Sequence, residues 1–567
     1  MARAVTDRMK YGIKASAVFT ENLQHNFKAV NGRSFTQQLG NEIIFEFPGM
    51  GEGYYCDFAA SYFRFGLNVG FTTAPTDPNT VGTKQHSGYL RFDRGPESIF
   101  RRIQIFDASG NLLENYENYN DLYCATELMT NNSQLRSNSG MFHGEGLLVP
   151  RNSATTDNTT NVTAFTDNQY CVGNPFDYSP QGFNANTPYT RYPDLGGIIV
   201  GKHATYTNAA NTGTVGTAID LSNFQNATQA LVPEVYAAQP AQSSYKYFTF
   251  QLLSALFGGS SDKYIPMSGI NGMRIVMTLE DPKGAFVMCG LNSVASAAQT
   301  PFTATIYDPT MFLSMVKVDP YVDIELRNAA KAYSRDGLIR ISSQTWTMYT
   351  SSISAGIPAF EFNIPLRVSS LKAIYFTFSR QNYSGTETFR DFQVTRLGCD
   401  SKSTWFDNGL SQYVFYVDGK PFPPAPVQVK TGYSEALSQL GQALHIGHKG
   451  ADGMYLSLLA NASMDDYRSR NFILGQEFES FNGKGPVIES GYNCLNSTLS
   501  LRLDFDNTKT IPAGVQANGY GASNPANPQV NNVNVLAAPV ACYLKVFCLY
   551  DCFLSINDDS GVMRTEV

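Results

Sequence analysis

The chain has 567 residues, 43% hydrophobic and 13% aromatic, which is enough for more than one hydrophobic core. Only 16% are charged, against about 25% in an average soluble protein. The net charge of −7 excludes a chain that coats nucleic acid over its whole surface. No run approaches the ~18 apolar residues of a membrane span, and the first residues lack the apolar core of a signal peptide.

In chain order, residues 1–35 read as a basic arm. Arg3, Arg8, Lys10, Lys14, Lys28 and Arg33 stand against Asp7 and Glu21, a local balance of +4. β signals then dominate. "NEIIFEF" (41–47) opens a series of runs rich in β-branched and aromatic residues, most of them bounded by Gly, Pro, Asn or Asp. "ESIFRRIQIFDASGNLLENYENYNDLYCATELM" (97–129) reads as strand, tight turn and helix. Ile103 and Ile105 alternate with Gln104, and Asp107–Gly110 has turn chemistry. Tyr116, Tyr119, Leu122 and Tyr123 recur at helical spacing, predicting a helix over Tyr116–Met129.

Residues 131–242 are rich in Asn, Thr, Ala and Gly and poor in charge, as an exposed insertion would be. Within them "GGIIVGKH" (Gly196–His203) resembles a phosphate-binding loop. His203 stands where Ser or Thr must hold magnesium, and "ATYTNAANTGT" does not continue as a helix. Strand runs resume at "YKYFTFQL" and "MRIVMTL". A polar helical piece near Ile324–Tyr333 follows, and "GLIRIS" (337–342) opens a second series that ends in "CYLKVFCLYDCFLSI" (542–556). A further helix is expected over Ser434–His445.

The second series repeats the first. Phe45-Glu46-Phe47 matches Phe360-Glu361-Phe362, and the turn at Asp107–Gly110 matches Asp418-Gly419. An ungapped match then sets Phe250 on Phe472, Ser268-Gly269 on Ser490-Gly491, Met277 on Leu499 and Leu279 on Leu501. The expected fold is all-β: two tandem jelly-roll sandwiches with a few short helices and a large loop insertion in the first. The expected boundaries are a basic arm over 1–35, a first roll over 36–320 with its insertion at 131–242, a linker over 321–337 and a second roll over 338–567.

Chemistry-bearing motifs are sparse. His445 and His448 form H-x-x-H beside Asp452, but no further ligand is spaced to complete a metal site, and a helix end is the simpler reading. Asp504 and Asp506 share a face at a strand end and read as a solvated terminus. The nine cysteines are scattered, as buried free thiols made in a reducing compartment would be; Cys542, Cys548 and Cys552 share parity on one strand. There is no nucleophile elbow and no H-E-x-x-H. No catalytic, cofactor-binding or metal-binding residue is therefore assigned.

The strand–turn–helix unit at 97–123, "YIPMSGINGMRIVMTLED", "NSTLSLRLDF" and "LKVFCLYDCFLSINDDSGVMRTEV" resemble the double jelly-roll major capsid proteins of polinton-like viruses and virophages. The resemblance implies a structural, non-enzymatic protein. It would form pseudo-hexagonal homotrimeric capsomers that tile an icosahedral shell around double-stranded DNA. It implies contacts with neighbouring capsomers, penton proteins and minor capsid proteins. It places the insertion as a tower outside and the N-terminal arm inside, near a minor protein, an inner membrane or the genome. It implies no cofactor and no small-molecule substrate, with the protein made in the host cell without a signal peptide and located in the virion capsid. The alternatives are a two-domain β-sandwich adhesin or carbohydrate-binding protein, and a sandwich-fold carbohydrate-active enzyme. Tryptophan at only 346 and 405 counts against sugar platforms.

Overall fold

A computed structural model describes residues 20–71, 88–92, 95–130, 147–148, 172–173, 198–200, 246–257, 264–289, 302–332, 336–380, 405–429, 433–444, 472–479, 491–506, 539–558 and 560–566. The first half contributes β1 (Thr20–Lys28), β2 (Glu42–Pro48), β3 (Tyr54–Phe71), β4 (Phe100–Asp107), β5 (Leu112–Glu117), α1 (Tyr119–Thr130), β6 (Lys246–Phe250), β7 (Gly272–Leu279) and β8 (Phe302–Val318). Helix α2 (Pro320–Ala332) follows. The second half contributes β9 (Ile339–Ile353), β10 (Ala359–Ile364), β11 (Leu371–Arg380), β12 (Leu410–Val417), β13 (Lys420–Gln428), α3 (Ser434–Ala443), β14 (Leu474–Glu477), β15 (Leu499–Phe505), β16 (Cys542–Asn557) and β17 (Val562–Glu566).

The pairing is antiparallel throughout these strands and gives two sandwiches of one topology. In the first, the sheet β1-β8-β3-β6 faces the sheet β2-β7-β4-β5. In the second, β9-β16-β11-β14 faces β10-β15-β12-β13. Adding eight to each strand number of the first copy yields the second, so both are jelly rolls and the chain is a double jelly roll. The repeated unit is present in both copies as a hairpin followed by a helix. Asp107 accepts the Asn111 N–H at 2.7 Å on Oδ1, and Gly110 takes φ +85°. In the second copy Asp418 and Gly419 are both left-handed, closing a two-residue turn between Val417 and Lys420.

Three expectations change. Tyr116 lies in β5 opposite Ile103, and the helix starts at Tyr119. Asn118, at φ +52°, breaks strand from helix. The ungapped match of β7 with β15 slips by six residues. Ile275 lies opposite Phe45 and Leu503 opposite Phe360, an offset of 503 − 275 = 228 rather than 222. Six is even, so the aligned residues still face the core. The basic arm is shorter than 1–35. From Thr20 the chain is edge strand β1, in register from Thr20↔Val318 to Lys28↔Thr310. Lys28 pairs with Asp308 at 2.8 Å. Only Leu23, His25 and Phe27 of this polar strand turn inward, which hides it among arm-like residues.

The first core is an aromatic cluster. Phe65 lies within 6.4 Å, centroid to centroid, of Phe63, Phe92, Phe100, Phe248 and Phe250. Ile103 and Ile105 are buried beside it, as their alternation with Gln104 predicts. The second core gathers Phe376, Phe378, Tyr413, Phe415, Phe472 and Leu501. Its sheet β9-β16-β11-β14 is covered on both faces. Ile374, Phe376 and Val546 enter the second core, while Ala373, Tyr375 and Phe547 enter the cluster continuous with the first roll. Strand β16 is consequently apolar at both parities, as strands buried on two faces are.

The expected insertion lies outside the described residues, apart from Leu147–Leu148, Val172–Gly173 and Ile198–Val200. The described parts place it between α1 and β6, where the chain runs from Thr130 to Lys246. The matching stretch of the second copy runs only from Ala443 to Leu474.

Candidate assembly surfaces

The surfaces of interest are the seam between the two rolls and the faces exposed among the described residues. Strand β5 and helix α1 of the first roll lie against the two-sided sheet of the second. On β5, the buried Glu114 carboxylate accepts the N–H groups of Ala255 and Leu256, each at 2.9 Å, and the Tyr116 hydroxyl. The Tyr116 hydroxyl also meets Thr345 Oγ1 on β9 at 2.8 Å, and Ser343 Oγ donates to the Ala255 carbonyl at 2.7 Å. Burial pushes the Glu114 carboxyl up, while the donors from Tyr116, Ala255 and Leu256 work against it. The Tyr116 hydroxyl is pushed up by burial and by the adjacent Glu114.

One turn along, Lys545 of β16 reaches Asp121 of α1 at 2.7 Å, with both side chains 5% exposed. Its ammonium lies 5.7 Å from the centroid of the buried Trp405 ring. Thr565 of β17 donates to the Leu113 carbonyl at 2.7 Å.

The polar run expected as a linker is a clamp. Helix α2 turns its charges inward at four-residue spacing: Asp323, Arg327 and Lys331. Asp323 is fully buried. It accepts the Gly53 N–H at 3.0 Å and the Tyr55 hydroxyl at 2.8 Å, both in the first roll. Arg327 joins Asp323 at 3.0 Å to Asp558 of the second roll at 2.9 Å, and Lys331 reaches Asp558 at 2.7 Å. A Cβ on Gly269 would lie 2.7 Å from Asp558 Oδ1, so a side chain there would push the carboxylate out of the clamp. Burial alone would raise the Asp558 carboxyl, but hydrogen bonds from Lys331 and Arg327 outweigh it and hold the group below its ordinary 3.8.

A group depressed in the folded state adds stability above its unfolded value and loses it as the pH falls through the folded one. Asp558→Asn is therefore expected to melt lower than wild type at neutral pH and to converge on it as the pH approaches 3.8 and below. Thermal melts over that range check this.

Three surfaces carry exposed or half-exposed apolar side chains among the described residues. On the outer face of β1-β8-β3-β6, Arg64 lies 4.9 Å over the Tyr247 ring and 4.8 Å over Phe312, which stacks on Tyr62 at 4.8 Å. Tyr247 is 44% exposed. Strand β13, the counterpart of β5, is exposed along most of its length and presents Phe422. The solvent side of α2 shows Tyr321, Ile324 and Leu326.

The residues weighed for chemistry do not converge. Asp504 accepts from Gln412 at 2.8 Å and from Arg502 at 3.2 Å within the sheet, and the Asp506 N–H bonds the Gly409 carbonyl. Ile198–Val200 of "GGIIVGKH" pairs with Leu90–Gly88 as a short strand; the rest of that motif, with His445, His448 and Asp452, lies outside the described residues. Among the described residues, no three His, Cys, Asp or Glu side chains gather as a metal site. Cys542 and Cys548 are buried in the second core and Cys552 is buried beyond it; all three are free thiols, pushed up by burial. Sequence reasoning missed Lys545, Asp121, Glu114 and Asp323. The available signal was a lone lysine inside an apolar run, "YLKVF".

Two jelly rolls of one topology, joined through a buried seam, define the class: a double jelly-roll protein. Within that class the chain is similar to one solved in the Sputnik virophage, at TM-score 0.52 and 10% identity, covering 100% of this chain and 93% of that one. It is similar also to VP54 of PBCV-1, as fitted into a reconstruction of Sputnik, at TM-score 0.50 and 10% identity over 98% of both chains. The Faustovirus major capsid protein matches at TM-score 0.45 and 10% identity, covering 96% of this chain and 91% of that one. No protein-family profile matches the sequence, and no curated protein matches it.

Proposed function

We propose that the chain is a major capsid protein whose homotrimers form pseudo-hexagonal capsomers in the icosahedral shell of a double-stranded DNA virus. The carrying observation is the pair of unmatched ends. Within the chain, the β5–α1 flank of the first roll covers the outer face of the second roll's β9-β16-β11-β14 sheet. The second roll has the counterpart strand β13, exposed along most of its length among the described residues, with Phe422 on it. The first roll has the same outer sheet face, on which, among the described residues, Tyr247 is 44% exposed and Tyr62 and Arg64 are half-buried. A head-to-tail contact between these two surfaces repeats the internal seam from one chain to the next. A heterologous contact gives a ring where its rotation closes and a filament where it does not; in this reading it closes, with six similar domains from three chains. The sequence resemblance and the full-length fold likeness support the same reading.

The role is containment, without turnover. In this reading the rolls span 36–320, with β1 added, and 338–567, with 321–337 as their joint. The 131–242 insertion stands as the tower, and the residues before Thr20 face inward, toward a minor capsid protein, a membrane or the genome. Penton proteins and neighbouring capsomers are the remaining partners, and the virion capsid is the location.

Light scattering on a sizing column, with negative-stain images, tests this. The expected particle is a trimer of near-hexagonal outline; a monomer that stays dispersed at high concentration overturns the reading. Arg64→Ala combined with Tyr247→Ser is expected to shift the trimer toward monomer. Arg64 also lies 3.7 Å from Asp308, so circular dichroism of the variant separates lost assembly from lost fold.

A further inference from the structure

At the start of β11 lies a charge cluster that assembly does not use. Lys372 donates to Glu479, and its Nζ lies 3.5 Å from Asp551 Oδ1 on the neighbouring strand β16. The three side chains are 8%, 6% and 11% exposed. Asp551 is held from two further directions: Ser370 Oγ donates to Oδ2 at 2.6 Å, and the Asp551 N–H donates to the Ser370 carbonyl at 3.0 Å. The Gly491 N–H donates to Ser370 Oγ at 3.0 Å, fixing that hydroxyl. A Cβ on Gly491 would come within 2.4 Å of the Leu371 carbonyl oxygen, so the approach requires glycine. Leu371 and Phe478, on either side, are buried.

One ammonium and two carboxylates are thus shut away from water, where separated charges are costly to keep. With Nζ 3.5 Å from Oδ1, the amine and the Asp551 carboxyl are held side by side in a dry site, which lowers the entropic cost of reaction between them. We propose that Lys372 and Asp551 condense into an intramolecular amide, with Glu479 as the proton carrier. Glu479 takes a proton from the Lys372 ammonium along their hydrogen bond. The freed Nζ lone pair bonds to Asp551 Cγ, and the carbonyl electron pair moves onto Oδ2, where Ser370 donates. The pair on Oδ2 then re-forms the carbonyl, and the Cγ–Oδ1 bond breaks. Oδ1 leaves as water with two protons from Nζ, one of them carried by Glu479. Ammonium plus carboxylate becomes amide plus water. Both charges vanish, Glu479 returns unchanged, and no outside reagent is consumed. The link joins β11 to β16, the central pair of the second roll's two-sided sheet.

The test is the mass of the intact, denatured chain, followed by a tryptic map. The expected wild-type mass is one water below that of the sequence. The map is expected to contain one branched peptide joining Lys372 to Asp551. Glu479→Gln and Lys372→Arg are expected at their full sequence masses. A wild-type chain at full mass overturns the proposal. So does a water loss that persists in Lys372→Arg, which would mark a succinimide at a site such as Asp418-Gly419. A branch ending on Glu479 overturns the assignment of Asp551. The wild-type map decides even where a variant fails to fold.

Discussion

Asp121→Ala is expected to destabilise the protein by about 3–5 kcal/mol, because it takes a buried carboxylate away from the buried Lys545 ammonium. The cost comes from keeping the ammonium buried more than from the lost attraction. Replacing both partners, as in Asp121→Leu with Lys545→Met, is therefore expected to recover most of the loss, since buried pairs are often no better than apolar substitutes of similar size. Denaturant titration of the two single variants and the double variant checks this. Both tryptophans report on the seam. Trp405 lies beside Lys545 and Phe547, and Trp346 lies 5.7 Å from the Tyr375 ring. Tryptophan fluorescence should therefore follow the single variants directly. A double variant as unstable as Asp121→Ala would mean that the pair itself, and not relief of a buried charge, holds the seam.

Phe65→Ala is expected to cost about 3–5 kcal/mol by a different route, the removal of a large ring from a packed interior. Phe65 is fully buried at the centre of five other phenylalanines, so the walls have little freedom to collapse into the space. The first roll contains no tryptophan. The loss should appear first in far-ultraviolet circular dichroism and only later, as the seam opens, in tryptophan fluorescence. Coincident shifts in both signals would mean that the two rolls unfold as one unit.

The repeat was legible because a jelly roll writes its inner face as period-two alternation and its corners as turn residues. Phe45-Glu46-Phe47 and Phe360-Glu361-Phe362 occupy equivalent strands, and Asp418-Gly419 makes the turn that its residue types demand. Tyr116 misled because a residue at helical spacing from Tyr119 and Tyr123 can equally end a strand. Only the left-handed Asn118 decides between them, and its geometry is not written in residue type. The seam was illegible for a deeper reason. "LKAIYFTF" and "LKVFCLY" are apolar at both parities, which signals burial on two faces but not what lies against the second. Each run also carries one lysine, Lys372 or Lys545, whose partners come from distant parts of the chain. The clamp on α2 escaped because a helix with charges inward and Tyr321 outward reverses the usual pattern and reads as a solvated joint.

The two copies have also ceased to be interchangeable. The first roll keeps a sheet face with Arg64 and Tyr62 on it, which tolerates water. The corresponding face of the second roll carries Tyr375, Phe547 and Ala373, which do not. With those positions apolar, the second roll released alone would show them to water as one patch. The dependence between the rolls is therefore one-sided: the second needs the first as a cover, and the first needs no such cover on its own outer sheet.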